Sequence, residues 1–303
     1  MILSPAHTHL ILSGFAPGAR ILAAVPMQQK QPCPLRVTVY VPETDGTRQV
    51  VLRLSGNDGG VEREASVLPA LLSLGLPVPE LLSPALSGGA GFAASVISFL
   101  PGRTLQALTD ENEANIPSAI SLASDAIVRL FRQTEALSRH AVAETLPRRT
   151  LWDEWRTSSE AGAAWCKVGE FRETLAHLKV PCAIAAGETS LVFSNGDYQP
   201  GNFLTDGETV TGYLDFEKAG FEDPLWTLAR YPVYDLKPFQ HHGLTDAVLI
   251  RLGFTQQSFA LRVVLFGLRT LRTKTNPETG HNAALSERVW TLIRRSIAEM
   301  KTA

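Results

Sequence analysis

Two short stretches hold residue types at spacings that could do chemistry. Residues 193–204 read FSNGDYQPGNFL and residues 212–220 read GYLDFEKAG. Asp197 and Asn202 lie five apart on a loop that Gly196, Pro200 and Gly201 keep out of regular helix, and Asp215 follows in a strand-like run. Magnesium takes carboxylate and amide oxygens and retains several waters, so one Asp and one Asn are a sufficient protein contribution. Transfer of a terminal phosphoryl group asks for a base near the acceptor hydroxyl, metal ligands and a cation on the phosphates. The same residues also suit an Asn-Gly-Asp turn, so their spacing alone leaves turn and phosphate site both open.

The elements that must position these residues fall into a strand-rich half and a helical half. PAHTHLILSG (5–14) reads as a short helix. RILAAVPM (20–27), LRVTVYVP (35–42) and RQVVLRLS (48–55) read as strands, the last two joined through the ETDG turn, which makes a three-stranded antiparallel meander. In GGVEREASVLPALLSLG (59–75), Val61, Ala65, Leu68 and Leu72 recur at helical spacing, which predicts an amphipathic helix closed by Gly75. PVPELLSPAL and FAASVISFL add two strands joined by SGGAG (87–91), a hairpin turn before it is a phosphate cradle. PGRTL (101–105) marks a boundary. Beyond it, residues 115–137 read as one long helix and 151–180 as two more. SLVFS (190–194) and VTGYLDF (210–216) flank the opening motif as strand-like pieces. Asp215 then ends the second strand of an expected hairpin, which would let the three side chains converge. From Pro224 onward the pattern is helical, broken at TNPETGHN (275–282). Strands followed by helices imply an α+β fold rather than a doubly wound sheet.

A chain of 303 residues has room for two lobes with real cores. With 28 Lys and Arg against 30 Asp and Glu, its formal charge of −2 gives no case for a nucleic acid or a membrane surface as partner, and a small molecule is expected. Residues 251–303 carry nine basic against three acidic residues. That excess could hold an anionic substrate, although solvated helix faces are its commoner origin. Cysteines at 33, 166 and 182 form no CxxC pair and are odd in number, which argues against a disulfide framework or zinc site and suits a cytoplasmic location. MILSPAHTHLILSGF lacks a basic start, so no signal peptide is expected, and no stretch reaches the length of a membrane helix. GxxxxGK[ST], HExxH and GxSxG are absent. His241 and His242 are adjacent and would not face one metal.

NGDYQPGNFL followed by GYLDFEKAGFEDP resembles the catalytic and metal-binding loops of the aminoglycoside phosphotransferase and choline kinase-like family. VVLRLS, VEREASVLPALLSLGLPVPELL and ISFLPGRTL occur upstream in that family's order, so the resemblance spans about residues 20–235. It implies a protein-kinase-like two-lobed α+β fold, with residues 1–100 as a small nucleotide-binding N-lobe and 101–303 as a larger, mainly helical C-lobe that carries the catalytic loops and the acceptor site. It implies an enzyme, a kinase that moves the terminal phosphoryl group of ATP, or of GTP, to a hydroxyl of a small molecule with magnesium. By the same resemblance Asp197 is the catalytic base and Asn202 and Asp215 the metal ligands. Arg53 is the phosphate-contacting cation with Glu64 as its ion-pair partner. Ile97, Ser98, Phe99 and Leu100 form the hinge that hydrogen-bonds the nucleotide base, and Met27 through Pro34 stands at the phosphate loop.

Without that context Glu64 reads as a solvated helix charge and Arg53 as an ordinary strand residue. Glu217 and Asp223 could line the acceptor site or serve as helix caps, the Asp-Pro pair favouring a cap for Asp223. Where the family has His on both sides of the catalytic Asp, this chain has Asn195 and Gln199. Arg53 replaces the fold's lysine, and Thr227 stands where an aspartate is usual. These departures keep a second reading open, a catalytically weak nucleotide-binding or regulatory protein of the same fold. The acceptor is not encoded, although a polycationic aminoglycoside fits poorly with the basic final quarter.

Overall fold

The computed structural model describes residues 3–28, 33–55, 59–86, 93–160 and 164–301. In chain order its strands are β1 (Arg20–Pro26), β2 (Leu35–Val41), β3 (Gly46–Ser55), β4 (Leu81–Leu86), β5 (Ala93–Ser98), β6 (Arg103–Thr104), β7 (Arg148–Arg149), β8 (Val192–Ser194), β9 (Phe203–Thr205), β10 (Val210–Tyr213) and β11 (Gly220–Glu222). Its helices are α1 (Pro5–Ser13), α2 (Gly60–Ser73), α3 (Leu105–Glu111), α4 (Ile116–Arg132), α5 (Thr134–Leu137), α6 (Leu151–Ser159), α7 (Gly169–Glu188), α8 (Arg230–Tyr234), α9 (Leu244–Leu252), α10 (Gln256–Lys274) and α11 (Ala283–Lys301). Contacts divide the chain into two compact units. The first holds Met1–Ala107, Glu135–Leu146 and Asn195–Ala219, and the second Leu108–Thr134, Pro147–Ser194 and Gly220–Ala303.

In the first unit β1-β2-β3-β5-β4 form a five-stranded antiparallel sheet. The pleat of β2 and β3 buries Leu35, Val37 and Val39 with Val50, Leu52 and Leu54 on one face, where they pack with Leu10 and Ile11 of α1. The intervening residues, Arg36 of β2 and Val51, Arg53 and Ser55 of β3, face the other way, because successive side chains alternate across the pleat. Pro84 lies in β4, an edge strand, where its missing N–H costs no ladder bond. The SGGAG turn and part of the expected phosphate loop, residues 29–32, lie outside the described residues.

Helix α2 packs beside β4 and β5. Its buried stripe runs through Val61, Glu64, Ala65, Leu68 and Leu71, whereas the expected Leu72 is 44% exposed. Counting only apolar positions displaced the stripe from its true centre, because a carboxylate at position 64 belongs to the buried face. The helix ends in a Schellman motif: the Leu76 N–H donates to the Leu71 carbonyl at 3.1 Å, and Gly75 takes φ +75°.

A second antiparallel sheet, β10-β9-β6, carries the loops of interest. The hairpin here is β9–β10, with Phe203 and Tyr213 edge to face at 5.8 Å. The expected pairing of SLVFS with VTGYLDF does not occur. SLVFS supplies β8, which pairs with β11 in the second unit's β7-β11-β8 sheet. Strands of two to four residues contain too few alternations to declare a partner.

The second unit is otherwise helical. The expected 115–137 helix is interrupted at Gln133 between α4 and α5. Arg262 of α10 and Asp223 form a buried ion pair at 2.7 Å, and the Asp223 carboxylate also accepts the Leu225 N–H, a turn role consistent with its place before Pro224. Thr227 donates to buried Glu222 at 2.5 Å. The basic tail is largely spoken for within its own unit. Arg251 pairs with Asp125, Arg269 with Glu154, Arg294 with Glu170 and Arg295 with Glu299. Among the described residues no helix is long and apolar enough to cross a membrane, and no disulfide links Cys33, Cys166 and Cys182.

Candidate functional site

A cavity of about 610 Å³ lies wholly within the first unit, between the outward faces of β2, β3 and β5 and the β9–β10 hairpin. Ile97, Ser98, Phe99 and Leu100 line one side of it, and Arg53, Glu64, Asn202 and Asp215 line it as well. Of the residues given a catalytic, nucleotide or metal role from sequence, Asp197 alone is not in its lining. It stands behind Asn202, whose Nδ2 donates to the Asp197 carbonyl at 2.9 Å.

The loop that carries Asp197 is fixed locally. Asn195 is fully buried. Its Oδ1 accepts the Asp197 N–H at 3.1 Å, and its Nδ2 donates to the Asp197 carbonyl at 3.1 Å. The same Nδ2 donates to the Leu214 carbonyl at 3.5 Å, which ties the loop to the end of β10. Gly196 has φ +73°, and a Cβ there would stand 2.6 Å from the Lys218 carbonyl oxygen, so only glycine lets the two segments touch. Lys218 is thereby set beside Asp197. Its Nζ donates to Asp197 Oδ2 at 3.0 Å while the lysine side chain stays 58% exposed. Gln199 accepts the Asn202 N–H through its carbonyl at 2.9 Å, and Asn202 accepts the Leu214 N–H at 2.8 Å. Asn202 and Asp215 are thus held on adjacent strands of chain.

Arg53 and Glu64 meet as an ion pair, Nε to Oε2 at 2.8 Å. The other Glu64 oxygen accepts the Phe216 N–H at 3.0 Å, so one buried carboxylate on α2 positions both the β3 cation and the turn that follows Asp215. Arg63, next to it on α2, donates to the Glu217 carbonyl. Arg53 Nη2 also reaches Asp215 at 3.2 Å and Glu217 at 2.9 Å. Asp215 itself takes φ +59°, a costly backbone for a residue with a side chain.

Three carboxylates surround one guanidinium. Burial pulls the Arg53 guanidinium down, but Glu64, Asp215 and Glu217 outweigh it and hold it above its ordinary value. Burial pushes the Glu217 carboxyl up against the pull of Arg53, with Asp215 and Glu64 adding to the push. Negative charge is therefore in excess at this end of the cavity. The donor set that faces it is hard: the Asp215 carboxylate, and the amide oxygen of Asn202, whose nitrogen is committed to Asp197. Those donors fit a magnesium ion.

At the hinge two of the backbone donors are already engaged. The Ser98 N–H bonds the Glu80 carbonyl at 2.8 Å, and the Phe99 N–H bonds the Gln49 carbonyl at 3.4 Å. A base would read this segment through its other backbone groups. Lys218, Arg63 and the bonds of Asn195 are features of the site that sequence reasoning did not single out. Lys218 and Arg63 depend on contacts distant in sequence, whereas Asn195 reaches Asp197 two residues away and only its bond to the Leu214 carbonyl is longer in range.

Comparison with known proteins bears on the fold and the family. The chain superposes on aminoglycoside phosphotransferase APH(4)-Ia, solved as a thermostable mutant with ADP and hygromycin B, with a TM-score of 0.65 and 15% identity over 95% of this chain and 97% of that one. It is similar to the GDP and kanamycin complex of APH(2")-IIia at TM-score 0.62 and 17% identity, covering 98% and 99%. It is also similar to the GDP complex of wild-type aminoglycoside 2'-phosphotransferase-IIIa at 0.63 and 16%, covering 97% and 98%. These likenesses establish a kinase-like α+β fold. No curated protein sequence matches the chain. The model of the phosphotransferase enzyme family, APH, matches residues 36–246, and this chain belongs to that family.

Proposed function

We propose that this chain moves the terminal phosphoryl group of ATP or GTP to a hydroxyl of a small molecule. One observation carries the reading. Arg53 of β3 is held at once by Glu64 of α2 and by Asp215, on the wall of a cavity that Asn202 shares. A phosphate-binding cation and hard oxygen ligands in one cavity are what phosphoryl transfer asks of a protein.

In this reading residues 1–100 bind the nucleotide, and the loops within 101–303 carry the chemistry. Arg53 takes phosphate oxygens through Nη1, the nitrogen its carboxylate partners leave unengaged, with Glu64 fixing its orientation. Asn202 and Asp215 would hold magnesium, whose charge offsets that of the phosphates when it is bound. Asp197 takes the proton of the acceptor hydroxyl as that oxygen attacks the terminal phosphorus and the bond to the bridging oxygen breaks, leaving the diphosphate. A positioned base of this kind contributes roughly 10²–10⁴-fold. Lys218 and Asn195 keep its carboxylate and backbone in place.

The neighbours' nucleotides, ADP in one and GDP in another, support a nucleoside triphosphate as donor, and their aminoglycosides support a small hydroxylated acceptor. The ion pairs of the basic tail leave its charge mostly spent, so it neither favours nor excludes a cationic acceptor. We place the protein in the cytoplasm, a reading supported by its undisulfided cysteines. Asn195 meets the loop's hydrogen-bonding needs, which supports the active reading over the catalytically weak alternative. The test is diphosphate release from ATP and GTP, with and without magnesium, across a library of small alcohols, sugars and amino alcohols. Acceptor-dependent release that needs magnesium is expected. Release to water alone with every acceptor would contradict it.

A further inference from the structure

The cavity contains a second guanidinium that the reading above does not use. The alternation that buries Leu35 and Val37 turns Arg36 of β2 outward, into the cavity lining. Register places Arg36 beside Val51 of β3, and Val51 beside Ile97 of β5, so the three form a row across the sheet that ends at the hinge. The Arg36 guanidinium carbon stands 5.8 Å from the centroid of the Phe99 ring. Arg53 lies two residues farther along β3 on the same face, so the two cations mark different ends of the site, Arg36 at the hinge and Arg53 at the carboxylates.

Their surroundings differ in a way that matters. Arg53 is engaged by three carboxylates, whereas Arg36 forms no ion pair among the described residues and its side chain is exposed. A guanidinium has five donors and no acceptor. A purine lying along Ile97–Leu100 would meet it with one edge. Guanine offers O6 and N7, two acceptors side by side, while adenine offers N7 next to an N6 donor. The first satisfies a bidentate fork, and the second sets donor against donor.

We propose that the cavity selects a guanine nucleotide, and that Arg36 is the residue that selects it. This inference rests on the nucleotide-binding reading above and deepens it. It is tested by titrating GDP and ADP, each with magnesium, into wild type, Arg36→Gln and Arg36→Lys by calorimetry, which needs no knowledge of the acceptor. Wild type is expected to bind GDP at least about fivefold more tightly than ADP, the low end of what one bidentate contact discriminates. Arg36→Gln should remove or reverse the preference by weakening GDP, with ADP bound no more weakly than by wild type because a glutamine amide matches the N7 and N6 edge of adenine. Arg36→Lys, which keeps the charge but not the fork, should retain only part of it. Equal or tighter binding of ADP by wild type would overturn the inference while leaving the phosphotransfer reading intact. Equal loss of both nucleotides in Arg36→Gln would also overturn it, since that marks a phosphate contact or a structural role. Binding of neither nucleotide by wild type would overturn both.

Discussion

Replacing Glu64 by glutamine isolates the junction on which the site's geometry depends. The carboxylate is 2% exposed and each of its oxygens has one duty: Oε2 accepts Arg53 Nε at 2.8 Å and Oε1 accepts the Phe216 N–H at 3.0 Å. Glutamine has a single acceptor oxygen, so one of the two donors must face an NH₂ group. If the Arg53 contact is lost, a charge-assisted bond worth about 2 kcal/mol goes with it. If the Phe216 contact is lost, a buried N–H is stranded at about 1–3 kcal/mol. Arg53 keeps Asp215 and Glu217, so the loss stays at or below the low end for a broken buried ion pair, about 3 kcal/mol. At roughly 2 °C per kcal/mol for a chain of this size, the melting temperature should fall by about 2–6 °C. A double-mutant cycle with Arg53→Gln should give a coupling of about 2 kcal/mol between the two positions, since they touch and share a network. A Glu64→Gln protein that melts within about 1 °C of wild type, with additive effects in the cycle, would refute the reasoning.

Three other outcomes follow from local geometry. Gly196→Ala forces a side chain onto φ +73° and into the Lys218 backbone, and should lower stability by at least about 1 kcal/mol in urea titration; an unchanged midpoint would mean the two segments are not clamped. Burial pushes the Glu154 carboxyl up despite Arg269 and Arg149, so its favourable contribution is complete below its ordinary 4.5 and is lost as pH rises through the higher folded value. Glu154→Gln stays neutral throughout, so its melting temperature relative to wild type should be higher at pH 7 than at pH 4, and a shift the other way would contradict the assignment. Burial drives the Cys182 thiol up to about 12, so brief alkylation of native protein at pH 8 should label half-buried Cys166 ahead of Cys182, as peptide mass spectrometry would show.

Much of this arrangement is legible in the sequence because it is written in local periods. β2 alternates, and α2 has a glycine where its backbone must turn left-handed. The long-range features are not legible. SLVFS pairs with Gly220–Glu222 rather than with the expected VTGYLDF, because a three-residue strand is defined by what it pairs with rather than by its own pattern. A hydrophobic count puts Leu72 on the buried face of α2 because it cannot see that Glu64 is buried, and Glu64 is buried because Arg53 and the Phe216 N–H meet it. Lys218 lies 21 residues from Asp197 and reaches it through a close contact that Gly196 permits. Arg36 alternates like any strand residue, and only the sheet register shows it facing the cavity.

The central claim is that a phosphoryl group is transferred with Asp197 as the base. The most direct measurement follows radiolabel from the terminal phosphate of the nucleotide into the first acceptor found, in wild type and in Asp197→Ala, with nucleotide affinity measured alongside. Nucleotide binding should be retained and transfer should fall by at least about a hundredfold. Transfer by Asp197→Ala at the wild-type rate would contradict the account.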